Sequence, residues 1–113
     1  MKIAEASDVM EYLTEDGRSP FGEWFEALEV AKSSKIVTAI TRMKNGNMSN
    51  VRPVGSGVYE NKIDFGPGYR IYFGNDGRQL IILLAGGTKR GQSRDIDRAK
   101  GYWKDYKNRK RRG

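Results

Sequence analysis

Cysteine and histidine are both absent from the 113 residues. Without cysteine there is neither a disulfide framework nor a thiolate metal site. Without histidine the commonest metal ligand and the commonest general base near neutral pH are missing. Zinc chemistry is close to excluded, and neither a metal nor a cofactor is expected. Long apolar runs are scarce too. The longest, Leu80–Ala85, has the length of a buried strand and falls far short of the ~20 residues that span a bilayer. The opening Met-Lys-Ile-Ala-Glu-Ala lacks the apolar stretch of a signal peptide, so a cytoplasmic protein with no membrane partner is expected.

Acidic residues are outnumbered, 14 against 21 basic ones, and their distribution is uneven. Residues 1–30 hold 2 basic and 8 acidic side chains, residues 31–88 hold 8 and 3, and residues 89–113 hold 11 and 3. The charge therefore runs from −6 through +5 to +8 along the chain. A second half this basic points to a polyanionic partner. The length fits one domain over residues 1–113, with a basic tail from about Lys107 that reads equally well as solvated charge.

Hydrophobic spacing supplies the elements. Lys2–Leu13 reads as an opening strand, and Thr14–Arg18 as a turn. Ser19-Pro20 starts a helix, with serine as cap and proline at the first helical position. Phe21, Trp24, Phe25 and Leu28 follow as one apolar stripe. Ser33 or Ser34 caps a second helix that turns Ile36, Val37, Ile40 and Met43 inward and ends at Asn45-Gly46. Strand periodicity begins near Val51. Val58–Phe65 and Tyr69–Phe73 alternate around a Gly66-Pro67-Gly68 turn, and Asn75-Asp76-Gly77 makes the next hairpin. Gln79–Ala85 is apolar on both faces and reads as the central strand. Gly86–Gln92 reads as a loop, after which Ser93 caps a helix bearing Ile96, Ala99, Trp103 and Tyr106. The expected class is α+β, with helices packed on one face of a mainly antiparallel sheet.

That alternation places Glu60, Lys62, Asp64, Arg70 and Tyr72 together on the opposite, open face, with Lys89 and Arg90 overhanging it. Cross-strand acid–base pairs are ordinary on a solvated face. Bases interleaved with a ring that can stack, Tyr72, are what single-stranded RNA recognition requires. Sharper motifs fail: no lysine followed by serine or threonine closes a phosphate loop at Gly87–Gly91. Asp95 and Asp97, two apart on a helix, diverge and read as dipole partners. Trp24 and Trp103 read as core.

Three stretches resemble a known family. They are Leu13–Arg18 with Ser19–Trp24, the Tyr59–Phe73 hairpin, and Leu83–Arg90 followed by Arg94-Asp95-Ile96. Over nearly its whole length the chain resembles the RelE/ParE superfamily of type II toxin–antitoxin toxins, most closely the HigB-like addiction module killer branch. The resemblance implies a RelE-like fold with an N-terminal helical hairpin and a C-terminal helix. It implies an endoribonuclease that cleaves messenger RNA on the ribosome, inhibits translation and growth, and is neutralised by a cognate antitoxin, typically a helix-turn-helix protein. Operator DNA is then reached only through the antitoxin. Arg70 matches the strongly basic position after a Gly-Tyr pair, Lys62 a basic strand position, and Lys89 a basic position after the central strand, with Arg90 its alternate.

Metal-independent cleavage needs the 2′-hydroxyl deprotonated, the phosphate charge stabilised and the 5′-oxygen protonated. Arg70, with Lys89 or Arg90, suits the phosphate. The base is open among Glu60, Asp64 and Lys62, with Glu60 preferred. Tyr72, Arg90, Arg94 and Asp64 complete the expected RNA contacts. Two other functions fit the same composition: a ParE-like toxin that inhibits gyrase, and an RNA-binding module without catalysis.

Overall fold

A computed structural model describes residues 7–113. Five strands and three helices follow in the order β1 (Asp8–Glu11), α1 (Pro20–Glu26), α2 (Val30–Lys44), β2 (Val51–Gly55), β3 (Val58–Ile63), β4 (Tyr69–Asn75), β5 (Leu80–Thr88) and α3 (Gln92–Arg112). A 3-10 turn, Lys89–Gly91, joins β5 to α3. The strands form one sheet in the order β1-β5-β4-β3-β2. β2 to β5 pair antiparallel, and β1 lies parallel to β5. The class is α+β, and the architecture is consistent with a RelE-like fold.

Local signals explain most of the elements. Ser19 caps α1: the Gly22 N–H donates to its hydroxyl at 2.9 Å, with Pro20 following as the first helical residue. Gly66 and Gly68 adopt positive φ in the turn between β3 and β4, as does Gly77 between β4 and β5. Of the expected opening strand, only Asp8–Glu11 is extended among the described residues; Lys2–Ala6 lies outside them.

Several expectations about the helices need correction. α2 starts at Val30 after an extended Glu29, with no side-chain cap. Ser33 and Ser34 lie inside its first turns, and their hydroxyls donate back to the Val30 carbonyl. Val37 is half exposed; Ile36 and Met43 are the fully buried residues of that helix. α3 likewise begins without a side-chain cap, after Gly91 rather than at Ser93. It runs on through Lys107–Arg112, so the basic segment is helical: Tyr106 donates to Asp76 at 2.5 Å, and Arg109 pairs with Asp105 at 2.8 Å.

The largest correction concerns the faces of the sheet. Phe21, Ile36, Met43, Tyr69, Ile71, Phe73, Ile81 and Leu83 form one core under α1 and α2. Tyr12, Val58, Tyr72, Ile82, Leu84, Ala85, Ala99 and Trp103 form a second core under α3. Both faces are therefore covered. The middle strand of the sheet is β4, with β5 beside it. Each fully buried Val, Leu, Ile, Phe or Met side chain in these layers contributes ~1.5–3 kcal/mol.

β5 also extends through Gly86-Gly87-Thr88, where the sequence reads as a loop. A bulge carries it there: Tyr72 pairs with Ala85 but Phe73 with Leu83, so Leu84 and Ala85 both turn toward α3. Beyond the bulge a β-carbon on Gly86 would lie 2.1 Å from the Trp24 ring, and one on Gly87 would lie 2.0 Å from Asp95 Oδ2. These glycines let α1 and α3 close on the strand from opposite sides.

Candidate functional site

Register brings the predicted residues of β3 and β4 together. Lys62 pairs with Arg70 and Glu60 with Tyr72, while across the sheet Arg70 faces Gly87 and Arg52 faces Glu60. At the turn end, the Lys89 N–H donates to the Gly68 carbonyl at 2.8 Å. A β-carbon on Gly68 would lie 3.3 Å from Arg70 Nη1 and 3.6 Å from the Lys89 β-carbon. Arg70 and Lys89 thus converge at one turn, with Lys62 alongside in the adjacent strand.

Burial divides this group in two. Glu60 is 2% exposed, Arg70 4% and Tyr72 0%. Lys62, Asp64 and Lys89 are exposed, and Lys62 Nζ stands 3.7 Å from Asp64. The open face expected from alternation is therefore a buried polar floor with a cationic rim. Tyr72 is packed under α3 and presents no free ring for stacking, because its neighbours on that face are Leu84, Ala85 and the residues of α3.

Glu60 is the hub of the floor. Its Oε1 accepts from Arg52 Nε at 2.8 Å and its Oε2 from Gln92 Nε2 at 2.7 Å, while Arg70 Nε stands 3.8 Å from Oε1. Burial works to raise the Glu60 pKa; the hydrogen bonds from Arg52 and Gln92 and the Arg52 charge outweigh it and hold the carboxyl below the ordinary glutamate range. An anion with both oxygens engaged orients cations well and accepts protons poorly. Arg70 Nη1 donates to the Tyr69 carbonyl at 3.3 Å, but its Nε and the Tyr72 hydroxyl have no hydrogen-bond partner among the described residues. Burial, then the Glu60 charge, push the Tyr72 phenol well above its ordinary value.

Arg90 and Arg94 lie away from this floor. They line a cleft of about 950 Å3 between α1, the end of β5 and the start of α3, with Arg18 and Arg98. Asp95 lines the same cleft; burial raises its pKa against the opposing charges of Arg94 and Arg98. Gly87 lines this cleft and pairs with Arg70, so the floor and the arginine cleft adjoin through one residue. Sequence reading missed Arg52, Gln92, Arg18 and Arg98. Arg52 and Gln92 become partners only through strand register and the start of α3, which periodicity does not fix. The i, i+4 spacing of Arg94 and Arg98 was a usable signal for a basic stripe on one helix face.

The sheet and its helices are consistent with a RelE-like fold, in which a buried arginine lies beneath a rim of lysines and beside an arginine-lined cleft. More particularly, the chain belongs to the phage-derived Gp49-like protein family (DUF891), whose model matches residues 23–104. That family belongs to the toxin–antitoxin-associated RelE/HigB-like group. The matched span holds every residue of the Glu60 floor and its lysine rim. The chain is also similar to an uncharacterized protein of Haemophilus influenzae, 40% identical over 81 residues, which is 71% of this chain and 82% of that protein.

Proposed function

We propose that this chain is the toxin of a type II toxin–antitoxin module and acts as a metal-independent endoribonuclease on ribosome-bound messenger RNA. The observation that carries the reading is Arg70: a buried guanidinium whose Nε faces the Glu60 carboxylate at 3.8 Å, paired in register with Lys62 and reaching the Lys89 turn through Nη1. A phosphate drawn in by the flanking lysines would meet the outer nitrogens of this guanidinium, whose planar fork suits two phosphate oxygens. As the RNA 2′-oxygen attacks the phosphorus its proton passes to the Asp64 carboxylate, and the bond from phosphorus to the 5′-oxygen breaks. That oxygen takes a proton from solvent while the cations stabilise the charge that develops on the phosphate.

Glu60 serves this chemistry as a positioning residue, since its carboxylate is committed to Arg52 and Gln92 and faces Arg70. Asp64, exposed beside Lys62 on the rim, is the carboxylate within reach of substrate. Arg90, Arg94 and Arg98 extend the phosphate path along the adjoining cleft. A ribosome that holds the message in place supplies orientation that a site without histidine lacks.

The partner is a cognate antitoxin that covers part of this basic surface, and DNA is met through it. Arg70→Ala should abolish growth arrest on induction and lower cleavage ~10²–10³-fold, with antitoxin binding retained. Growth arrest of wild-type strength by Arg70→Ala would refute the site.

A further inference from the structure

A second groove, between α2 and β3, is separate from the Arg70 floor. It encloses about 340 Å3, within the range of small-ligand pockets. Its inner wall carries Asn61, which is only 5% exposed. Backbone pairing with Ile71 and Val51 turns that side chain to the α2 face, away from Glu60. Asn61 lines the groove, and no side-chain hydrogen bond engages its carboxamide among the described residues. Asn47, by contrast, is satisfied locally, accepting from the Ser49 N–H at 3.1 Å and its hydroxyl at 2.8 Å.

Charge and shape narrow the occupant. Lys35 and Arg42 line the groove from α2, and neither forms an ion pair among the described residues. Lys35 Nζ stands 5.1 Å above the Phe65 ring, which forms the apolar wall. Asp64, the carboxylate of the lining, already faces Lys62 at 3.7 Å. A buried carboxamide matches the adjacent donor and acceptor of a nucleobase edge, and uncommitted cations match its phosphate. We infer that this groove is a nucleotide-binding site in which Asn61 reads the base edge and Lys35 and Arg42 hold the phosphate. Lys62 and Asp64 border both the groove and the Arg70 rim, so one RNA strand can occupy both. That RNA source rests on the cleavage reading above, whereas nucleotide binding itself does not.

The side-chain amide resonances of 15N-labelled protein provide the test. Wild type, Arg70→Ala, Asn61→Ala and Arg42→Ala are titrated with a mixed-sequence oligoribonucleotide and, separately, with the four ribonucleoside monophosphates and their nucleosides. The Asn61 amide should shift in wild type and Arg70→Ala alike. Asn61→Ala should weaken binding about tenfold. Arg42→Ala, on the exposed side of a helix, should weaken monophosphates and leave nucleosides unchanged. Response to the oligoribonucleotide assigns the ligand to an RNA strand; response to monophosphates alone assigns it to a free nucleotide. No shift of the Asn61 amide with any probe, or unchanged affinity in both Asn61→Ala and Arg42→Ala, overturns the inference. A toxic Arg70→Ala that still shifts Asn61 would sink the cleavage site and leave this one standing.

Discussion

The two faces of the sheet are buried to similar depth but built from different materials. Under α1 and α2 the core is apolar and aromatic, with Ile71 and Phe73 completely covered. Under α3 an apolar core around Trp103 gives way, at the end near the Gly68 turn, to Glu60, Arg70 and Tyr72. That second face leaves two buried polar atoms, Arg70 Nε and the Tyr72 hydroxyl, without hydrogen-bond partners among the described residues, whereas the polar residue of the first, Asn61, stands at the wall of the α2 groove. A fold keeps such groups at a cost in stability, and they cluster where a ligand is to be met. The second face thus carries the polar cluster on which the proposed cleavage rests, and the first an apolar core bordered by the Asn61 groove.

The comparison can be broken by substitution. Ile71→Ala, on the apolar face, should destabilise most, by ~2–5 kcal/mol in chemical denaturation, because a β-branched side chain is removed from a filled layer. Glu60→Gln should cost less at neutral pH, ~1–3 kcal/mol, since the amide still accepts from Arg52 but leaves buried Arg70 without its counter-charge. The same variant sharpens the pH dependence. The Glu60 carboxyl is held below its unfolded value near 4.5, so it contributes stability above that pH and loses it as the pH falls through the folded value. Wild type should therefore lose more stability than Glu60→Gln between about pH 6 and pH 3. A parallel loss in both proteins would remove Glu60 from the account. Tyr72→Phe should have the smallest effect, unchanged or more stable by up to ~1 kcal/mol, because the hydroxyl it deletes is buried and unpartnered. A large destabilisation there would mean that the hydroxyl has a partner and that the two faces are more alike.

Much of this arrangement was legible in the residues. The Ser19-Pro20 start, the Phe21–Leu28 stripe, the β3–β4 alternation and the inward side of α3 all follow from spacing, and the α+β class follows from their order. Two failures share one cause: local patterns do not report what approaches from a distance. Gly86-Gly87 reads as a loop, yet both glycines are strand residues that Trp24 and Asp95 close on from opposite sides. Glu60, Arg70 and Tyr72 read as a solvated face because they are polar on alternate positions. The contrary signal was present, since Leu80–Ala85 is apolar on both faces and so requires cover on both. What sequence could not supply was the register that gives Glu60 its partners Arg52 and Gln92, one on an edge strand and one at the start of α3.

The central claim is that Arg70 and its lysine rim cleave RNA rather than merely bind it. Purified wild type and Arg70→Ala, added to ribosomes translating a defined message, test it through the ends of the fragments. Cut messages ending in a 2′,3′-cyclic phosphate with wild type, and intact messages with Arg70→Ala, are the predicted result. Salt-sensitive binding without scission, or fragments beginning with a 5′-phosphate, would contradict it.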